Sequence, residues 1–352
     1  MPISIVVGGQ FGSEGKGKVA YCLARELGAA AAVRVGGPNS GHTVIDLQGN
    51  AVVFRQLPTA ALLSGVACFL PAGSYLAVDV LLSEIRMAGR SPDEVAIDPR
   101  AMLISSEDRQ GESGSGLRER IRSTLSGTGA ALQRRVAREE NVMFAADEPR
   151  LRPYVRPIQP LLQDLLHRRE RVVIEGTQGF GLSLLHGQYP KVTSRDTTAA
   201  GFLSEVGLSP LDVDDVVLTL RTFPIRVPGN SGDLPHEVDW DCVTRESGAR
   251  ERLVEHTSVT GGVRRVGRFD AAVVKGALAA NRPTKVVLNH LDYIDRSAFT
   301  LREPTDQVMR FVTKVETSIK YPIDYFGFSP SVLVAAESWR QKPKGQSVAL
   351  KP

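Results

Sequence analysis

A glycine-rich loop near the N-terminus constrains this chain more than any other feature of its sequence. The apolar run Ile3–Val7 predicts a buried strand, and Gly-Gly-Gln-Phe-Gly-Ser-Glu-Gly-Lys-Gly-Lys follows it at residues 8–18. A strand that enters such a loop and then a helix directs backbone N–H groups at one point, which favours an anion. The sequence therefore predicts a phosphate cradle. The residues assigned to it are Gly12, Gly15, Lys16, Gly17 and Lys18.

The loop departs from a standard P-loop at one position. The run Gly12-x4-Gly17-Lys18 matches the front of that motif, but Val19 stands where a P-loop has the Ser or Thr that binds Mg²⁺. A P-loop kinase or NTPase is therefore disfavoured, and magnesium must be held in another way. A glycine turn without a ligand is the plain alternative, but the strand, the helix and two lysines together favour phosphate.

A second glycine-rich segment, at residues 36–44, follows another apolar run, Ala31–Val35. Ligands of open parallel sheets bind at the carboxyl ends of the strands, so both loops are expected at one edge of the sheet. His42 lies in this segment. An imidazole beside a phosphate cradle is a candidate general acid, and we assign that role to His42.

Short apolar runs alternate with helical patterns along the chain, which predicts an α/β fold with a mostly parallel central sheet flanked by helices. Strands are predicted at Ile3–Val7, Ala31–Val35, Tyr75–Val78, Val172–Ile174, Val216–Leu220 and Val286–Leu288. Helices are predicted at Lys18–Leu27, Leu81–Ala88, Leu161–Arg169 and Ala271–Asn281. No linker or repeat divides the 352 residues, so we expect one domain over 1–352 with a loose tail at 341–352.

Composition excludes several classes of protein. With 42% hydrophobic residues the chain is too apolar for intrinsic disorder, and no run approaches the ~18 uncharged residues of a membrane span. No signal peptide is apparent. Cys22, Cys68 and Cys242 are widely spaced and fit a reduced compartment. We therefore expect a cytoplasmic protein without a membrane partner.

The charge is weakly basic, since 43 Lys and Arg against 39 Asp and Glu give a net charge of +4. This small excess does not require a nucleic-acid partner. The densest basic stretch can be a solvated surface or, in a sharper interpretation, a pocket for a phosphorylated small molecule. Its members are Arg118, Arg120, Arg122, Arg134, Arg135 and Arg138.

Several residues have ordinary structural interpretations. Asp79 and Glu84 are expected to be helix-start and surface acids, and His167 lies on a solvated helix face. Asp270 is expected to cap the helix that starts at Ala271.

The two glycine-rich loops, at residues 10–19 and 36–44, resemble those of the adenylosuccinate synthetase family. Further segments that resemble the family's pattern, in the same order, lie at residues 126–138, 175–179, 189–194, 222–227, 259–265 and 289–292. The resemblance implies a two-step ligation. A nucleoside triphosphate phosphorylates the 6-oxygen of a purine nucleotide, and the amino group of L-aspartate then displaces that phosphate. It also implies a Mg²⁺-dependent carbon–nitrogen ligase and a cytoplasmic homodimer, in the host cytoplasm if the source is viral.

The resemblance further implies roles for individual residues. The catalytic set is Ser13, Lys16, His42 and Gln178. The purine-nucleotide set is Ser13, Asn39, Ser40, Gly41, Thr124, Arg138 (from the partner subunit), Gln178, Thr193 and Val227. The aspartate set is Ser258, Val259, Thr260, Gly261, Gly262 and Arg264. The triphosphate set is Gly12, Gly15, Lys16, Gly17, Lys18, Gly41, His42, Thr43, Arg264, Asn289, His290, Asp292 and Gly327. The metal ligands are Ser13 and Gly41.

Ser13 departs from the family's usual pattern, which has an aspartate that deprotonates purine N1 and binds magnesium. A serine hydroxyl is no comparable base near neutral pH, and phosphate oxygens or Glu14 remain as candidates for that base. The smaller neutral side chain leaves room for a group at purine C2. Guanine has a 2-amino group there and hypoxanthine does not. Serine in a shortened chain resembles the phage-type branch of the family, which condenses dGMP with aspartate on the route to 2-aminoadenine for DNA.

Three other departures accompany Ser13. Gly262 replaces an arginine that reaches the ribose and aspartate, which relaxes the demand for a 2′-hydroxyl. His290 replaces a lysine that supports guanine recognition, which favours ATP or dATP over GTP, and Ser126 replaces a phosphate-binding arginine. We therefore expect a ligase that condenses dGMP with L-aspartate, using ATP or dATP. The alternatives are an enzyme that uses IMP and GTP, and a silent nucleotide-binding protein that kept the cradle and lost the base.

Overall fold

A nine-stranded sheet forms the centre of the molecule, and the computed structural model describes residues 2–257 and 261–340 around it. The predictions for Ser258, Val259, Thr260 and the tail at 341–352 lie outside these residues. In chain order the strands are β1 (Ile3–Gly8), β2 (Ala31–Arg34), β3 (His42–Ile45), β4 (Ala51–Phe54), β5 (Ala67–Leu70), β6 (Tyr75–Leu76), β7 (Val95–Ile97), β8 (Met102–Leu103), β9 (Val172–Glu175), β10 (Val213–Arg221), β11 (Ile225–Arg226), β12 (Glu237–Val238), β13 (Arg265–Gly267), β14 (Lys285–Asn289), β15 (Tyr325–Gly327) and β16 (Leu333–Ala335).

Helices follow most of the central strands. In chain order they are α1 (Lys16–Glu26), α2 (Val78–Met87), α3 (Ser106–Gly114), α4 (Leu117–Ile121), α5 (Thr128–Ala137), α6 (Ile158–His167), α7 (Ala199–Val206), α8 (Trp240–Ser247), α9 (Ala271–Asn281), α10 (Ser297–Leu301), α11 (Asp306–Ile319) and α12 (Glu337–Arg340). Among the helices of the described chain, none has the length and apolar character needed to cross a bilayer.

The strand order of the central sheet is β16-β15-β14-β10-β1-β9-β2-β5-β7, and every pairing is parallel except β15 with β16. All six residues of β1 are buried between β10 and β9. Strands covered on both faces are apolar throughout, which is why uninterrupted apolar runs identified them. The predicted α/β fold with a mostly parallel sheet and flanking helices is confirmed.

One predicted strand is wrong. Only Tyr75–Leu76 is extended, in a separate two-stranded sheet with Met102–Leu103, and Val78 already begins α2. A short apolar run has no period that separates a strand from a helix start, and Asp79 in the first turn favours the helix. The sequence analysis also missed β5, β7 and β15, which have three or four residues each. Length alone does not explain this, because β2 and β9 have four residues each and were predicted.

Of the residues that were given ordinary structural roles, Asp270 has the predicted role and Glu84 does not. The Asp270 side chain accepts a hydrogen bond from the Ala272 N–H (3.1 Å), so the predicted cap of α9 is confirmed. Glu84 is no surface acid, because it is buried and accepts from the backbone N–H groups of residues 55–57. Its long-range partners are loop amides, which no local pattern in α2 could show.

The first loop joins β1 to α1 and sets the position of the phosphate cradle. Gly15 has φ +89° and stands directly before the first residue of α1, a backbone conformation that favours glycine. Val19 is fully buried among apolar side chains between the sheet and α1. The carboxyl ends of β1, β2, β9, β10 and β14 meet at this edge of the sheet, as the predicted site requires.

Candidate active site

A cavity of about 780 Å³ opens at the carboxyl edge of the central sheet. This volume lies within the range of small-molecule sites. The predicted residues that line it are Gly12, Ser13, Gly15, Lys16, Gly17, Lys18, Asn39, Ser40, Gly41, His42, Thr43, Thr124, Gln178, Val227, Gly262, Arg264, His290 and Asp292. Segments from distant parts of the chain thus converge on one site.

Five predicted residues do not line this cavity: Arg138, Thr193, Gly261, Asn289 and Gly327. Asn289 lies behind the wall, where its Nδ2 donates to the Glu14 carbonyl (2.7 Å). Gly327 packs against it, since a Cβ there would lie 2.0 Å from Asn289 Oδ1. Both residues thus support the cradle from behind in this structure. Arg138 is exposed at the end of α5.

Glu14 holds the first loop together from inside. One carboxylate oxygen accepts from the N–H groups of Gln10 (3.1 Å) and Gly12 (2.8 Å). The other lies 2.6 Å from Lys16 Nζ. Glu14 is fully buried and does not line the cavity, so it is poorly placed to act on a purine. Its role in this structure is to fix the loop and the Lys16 ammonium.

Lys18 lies deeper in the same wall. Its amine donates to the carbonyls of Ser329 (2.9 Å) and Val332 (3.3 Å), and burial lowers its pKa to about 8. Gly17 between the two lysines has no room for a side chain, because a Cβ would lie 2.8 Å from His42 Cβ. This close approach brings the second loop onto the first turn of α1.

His42 is held by a buried charged cluster at the ends of β2 and β9. Its Nδ1 lies 2.5 Å from Glu175 Oε1 and 2.8 Å from Arg34 Nη1. Thr59 donates its N–H to the second Glu175 oxygen (2.7 Å). Burial and the Arg34 charge lower the pKa of His42 to about 3, so its imidazole is neutral at pH 7.

The protonation of His42 matters for its proposed chemistry. A neutral ring whose Nδ1–H donates to Glu175 carries no proton on Nε2. An anion near Nε2 favours the charged imidazole and raises its pKa. His42 can therefore serve as an acid only when a negatively charged group, such as a phosphate, lies beside it in the cavity.

Ser13 lies between two arginines at the cavity's exposed end. Its hydroxyl accepts a hydrogen bond from the Arg264 guanidinium, and its carbonyl accepts from Arg221 Nη1 (3.0 Å). Arg264 is also anchored by its Nε, which donates to the His256 carbonyl (2.9 Å). Gly262 has no space for the usual arginine, because even a Cβ would lie 2.8 Å from Pro228. Arg264 is thus the arginine of this loop that reaches Ser13 in the cavity wall.

Glu255 lines the cavity beside these arginines and was missed by sequence reasoning. Burial opposes its ionisation, but its ion pair with Arg221 and the neighbouring His290 and Arg264 lower its pKa to about 2. The carboxylate therefore stays charged and fixes Arg221. The signal in the sequence that could have identified Glu255 is its position just before the predicted aspartate loop.

The basic stretch between Arg118 and Arg138 was interpreted either as a solvated surface or as part of a pocket for a phosphorylated molecule, and its members differ in this respect. Arg118 and Arg122 line the cavity next to Thr124 and form no ion pair within the described residues. Arg134 pairs with Asp108 (3.2 Å), and Arg135 donates to the Ala72 carbonyl (2.8 Å). Of the basic stretch, Arg118 and Arg122 are the arginines that line this cavity in the described structure.

The opposite end of the cavity contains His290, Asp292, Arg296 and Phe299. His290 adopts a left-handed conformation with φ +62°, and its Nδ1 is buried without a hydrogen-bond partner among the described atoms. Burial and Arg221 place the pKa of His290 well below its usual value. Burial also raises the pKa of Asp292 to about 6, although Arg296 lies only 2.8 Å away.

The fold and this site define a class of protein. A parallel sheet whose first strand leads into a glycine loop, two lysines and a helix N-terminus is a site for nucleotide phosphates. The loop after β2 brings the His42 imidazole to that site, and the segment before β13 brings the Arg264 guanidinium. The fold and the cavity are therefore those of an α/β nucleotide-binding protein with titratable side chains beside the phosphate cradle.

The family follows from comparison with known proteins. The adenylosuccinate synthetase family model matches residues 5–148 and 141–301. The adenylosuccinate synthetase of Thermococcus onnurineus is 36% identical over 94% of this chain and 97% of its own length. That of Methanococcus aeolicus is 34% identical over 94% and 98%. This chain belongs to the adenylosuccinate synthetase family.

Solved structures agree on the fold. The succinoaminodeoxyadenylate synthetase of cyanophage S-2L, bound to dGMP and to dATP as an energy donor, is 30% identical with a TM-score of 0.78, and 95% of each chain is covered. The fully ligated adenylosuccinate synthetase of Plasmodium falciparum has a TM-score of 0.83 over 95% of this chain and 100% of that one, at 17% identity. Overall shape therefore does not separate the two kinds of synthetase. Chain length does not either, since the archaeal synthetases align over nearly their full lengths.

Proposed function

We propose that this protein condenses dGMP with L-aspartate to N6-succino-2-amino-2′-deoxyadenylate, with ATP or dATP as the phosphate donor. The observation that carries the proposal is Ser13. A neutral side chain lines the cavity there, hydrogen-bonded to Arg264, where the family's pattern has the aspartate that an IMP enzyme uses as its base. The space and the hydrogen-bonding hydroxyl suit a purine 2-amino group.

One relative supports this proposal, and others favour the alternative. The cyanophage S-2L enzyme binds dGMP and dATP and is 30% identical. The archaeal relatives, at 34–36% identity, carry the name adenylosuccinate synthetase. The second candidate function is therefore the IMP- and GTP-dependent reaction, and Ser13 is the observation against it.

The reaction has two steps in this proposal. The γ-phosphoryl group moves to the purine 6-oxygen, so that an oxygen–phosphorus bond forms there and the bond to the β-phosphate breaks. Lys16 and the loop N–H groups stabilise the transferring charge, and His42 acts at the 6-oxygen, next to that phosphate. Because Glu14 is enclosed by its own loop, we assign the N1 proton to a phosphate oxygen of the donor.

In the second step the aspartate amine attacks C6, and the 6-phosphate leaves as the amine loses a proton. Arg264 and Gln178 both line the cavity; in this proposal Arg264 holds aspartate near the purine and Gln178 orients the 6-substituent. Arg118, Arg122 and Thr124 line the end of the cavity where we place the dGMP monophosphate. Arg138 is exposed, as its proposed reach into a partner subunit of a homodimer requires.

The residues present fit a magnesium ion that arrives with the triphosphate. The described residues contain no cluster of three His, Cys, Asp or Glu side chains that could hold a metal. The proposed ligands are therefore neutral: the Gly41 carbonyl and, if Arg264 moves away, the Ser13 hydroxyl. Magnesium commonly combines few protein ligands with phosphate oxygens, and when bound it would neutralise charge on the transferring phosphoryl group.

A phosphate-release assay with L-aspartate tests the proposal. The purified protein is offered dGMP, GMP or IMP, each with ATP, dATP or GTP, at saturating Mg²⁺. We expect the highest kcat/KM with dGMP and an adenine donor. Turnover with IMP and none with dGMP would establish the alternative, and no turnover with any pair would favour a silent nucleotide-binding protein.

A substitution at residue 13 sharpens this test. Ser13→Asp introduces a carboxylate beside Arg264 and fills the space proposed for the 2-amino group. We expect kcat/KM for dGMP to fall by about 10–100-fold, the effect of an unmatched polar contact in a closed site. The control is Ser113→Asp on the exposed face of α3, and equal activity of Ser13→Asp and this control would refute the assigned role.

A further inference from the structure

We propose that Arg296 makes the donor-base end of the cavity selective for adenine over guanine, by occupying part of the carboxylate of Asp292. This inference rests on the proposed function, in which Asp292 belongs to the triphosphate set, and it places the base of the phosphate donor at that carboxylate. It identifies a specificity-determining residue that lies outside the sequence motifs, seven positions after Asn289.

The geometry begins with the ion pair between the two residues. Arg296 Nη1 lies 2.8 Å from Asp292 Oδ2, and both side chains line the cavity. Asp292 is almost fully buried, at 5% exposure, in the short helical turn Leu291–Tyr293. Arg296 is the group that this carboxylate meets from the cavity side.

Arg296 is itself held in place. Its guanidinium carbon lies 4.2 Å from the centroid of the Phe299 ring, a cation–π contact that fixes the plane of the side chain. Arg296 and Phe299 lie about one helical turn apart, at the start of α10. The guanidinium therefore remains next to Asp292 with N–H donors left over for a ligand.

The two purine bases make opposite demands on such a pair. Guanine presents two adjacent donors, N1–H and N2–H, and is best bound by a carboxylate with both oxygens available. Adenine presents one donor, N6–H, next to one acceptor, N1. With Oδ2 engaged by Arg296, Asp292 offers Oδ1 to the adenine amine, and a second guanidinium N–H can donate to adenine N1. The same N–H would face the guanine N1–H, and two donors repel.

His290 is consistent with this selection, because it brings no positive charge to the base. Its ring is neutral, since burial and Arg221 hold its pKa well below the usual value. The unpartnered Nδ1 is an additional polar atom in this wall. The amine of Lys18 donates to two backbone carbonyls. In this proposal the donor base is therefore contacted by the Asp292–Arg296 pair and not by Lys18.

The test compares donors in the full-length protein. We expect kcat/KM to favour ATP over GTP by at least about tenfold in the parent protein, and Arg296→Met to shift that ratio toward GTP by about 10–100-fold. Methionine keeps an unbranched stem over Phe299 and removes the donors. Arg296→Gln keeps one donor group, the side-chain amide NH₂, and should shift the ratio less. The matched control, Arg310→Leu, removes an exposed arginine of α11 and should leave the ratio unchanged.

Binding of ADP and GDP by calorimetry gives the same ratio without turnover, so inactive variants are still informative. The inference would be overturned if the ATP-to-GTP ratio of Arg296→Met stayed within twofold of the ratio of the parent protein. A parent protein that prefers GTP would also overturn it. The assay uses whichever of dGMP or IMP the protein turns over. Failure of dGMP as a substrate would therefore refute the proposed function while leaving the measured effect of Arg296 intact.

Discussion

Two histidines line the same cavity and differ in what surrounds them. His42 has its Nδ1 engaged by Glu175 and Arg34, which come from neighbouring strands of the sheet. His290 has a buried Nδ1 with no hydrogen-bond partner among the described residues. Burial and a nearby arginine lower the pKa of both rings. The orientation of His42 is therefore set before a ligand arrives, whereas His290 is left to complete its hydrogen bonding with one.

We propose that this difference separates a group that transfers a proton, His42, from one that contacts a ligand, His290. An imidazole that must hold a proton at one nitrogen needs a partner at the other, as metal-binding and catalytic histidines have. Glu175 supplies that partner and is fixed in turn by Thr59, whose hydroxyl and N–H both lie within 2.8 Å of Oε2. A buried polar atom without a partner is rare and calls for a ligand or a water.

The largest expected effect is on turnover when His42 is removed. His42→Asn should lower kcat by about 10²–10⁴-fold, the usual contribution of a positioned acid or base, because His42 is the imidazole that packs against Gly17 of the phosphate cradle. Binding of the nucleotides, measured by calorimetry, should change by less than about threefold. His167→Asn, on the exposed face of α6, is the matched control. Full activity of His42→Asn would remove this residue from the mechanism.

The second expected effect is on stability at low pH. The pKa of His42 is lowered from 6.5 to about 3 in the folded protein, so the unfolded chain binds more protons between these values. The stability contributed by the neutral ring is complete above pH 6.5 and is lost as pH falls, by about 2 kcal/mol at pH 5.

Urea unfolding of the parent protein and of His42→Asn, at pH 7.5 and pH 5, measures this contribution. The parent should lose about 2 kcal/mol more than the variant between the two pH values. Comparing the two proteins removes the opposite effect of Asp292, whose raised pKa favours the folded state at low pH. Equal losses would show that His42 is already protonated in the folded protein.

The sequence predicted the parts of this site that lie within one segment. The glycine loop, the second loop and the residues around position 290 each carry a local pattern, and all three reach the cavity. The contacts between segments could not be predicted. Glu175 and His42 are 133 positions apart, and the inward turn of Glu84 depends on loop amides 27–29 positions away.

Local sequence patterns also did not show which side chains face the cavity and which lie behind its wall. Asn289 is the last residue of β14 and His290 follows it directly, yet Asn289 supports the first loop while His290 faces the cavity. The left-handed conformation at His290 turns the chain between them, and a sequence pattern does not show it. Arg118 and Arg122 were separable from Arg134 and Arg135 only once the contacts of the latter two with Asp108 and the Ala72 carbonyl were known.

The smallest expected effect concerns His290 and completes the comparison. His290→Asn keeps a residue type that tolerates a left-handed conformation and removes the ring that lies 5.4 Å from Tyr293. If Nδ1 contacts the phosphate donor, the loss of one neutral hydrogen bond of about 1 kcal/mol should raise the KM for ATP about fivefold and leave kcat within twofold. Steady-state kinetics with ATP varied at saturating dGMP and aspartate measure both constants. A fall in kcat comparable to that of His42→Asn would mean that the two histidines share one role. An unchanged KM for ATP would mean that water, and not the phosphate donor, is the hydrogen-bond partner of the buried Nδ1.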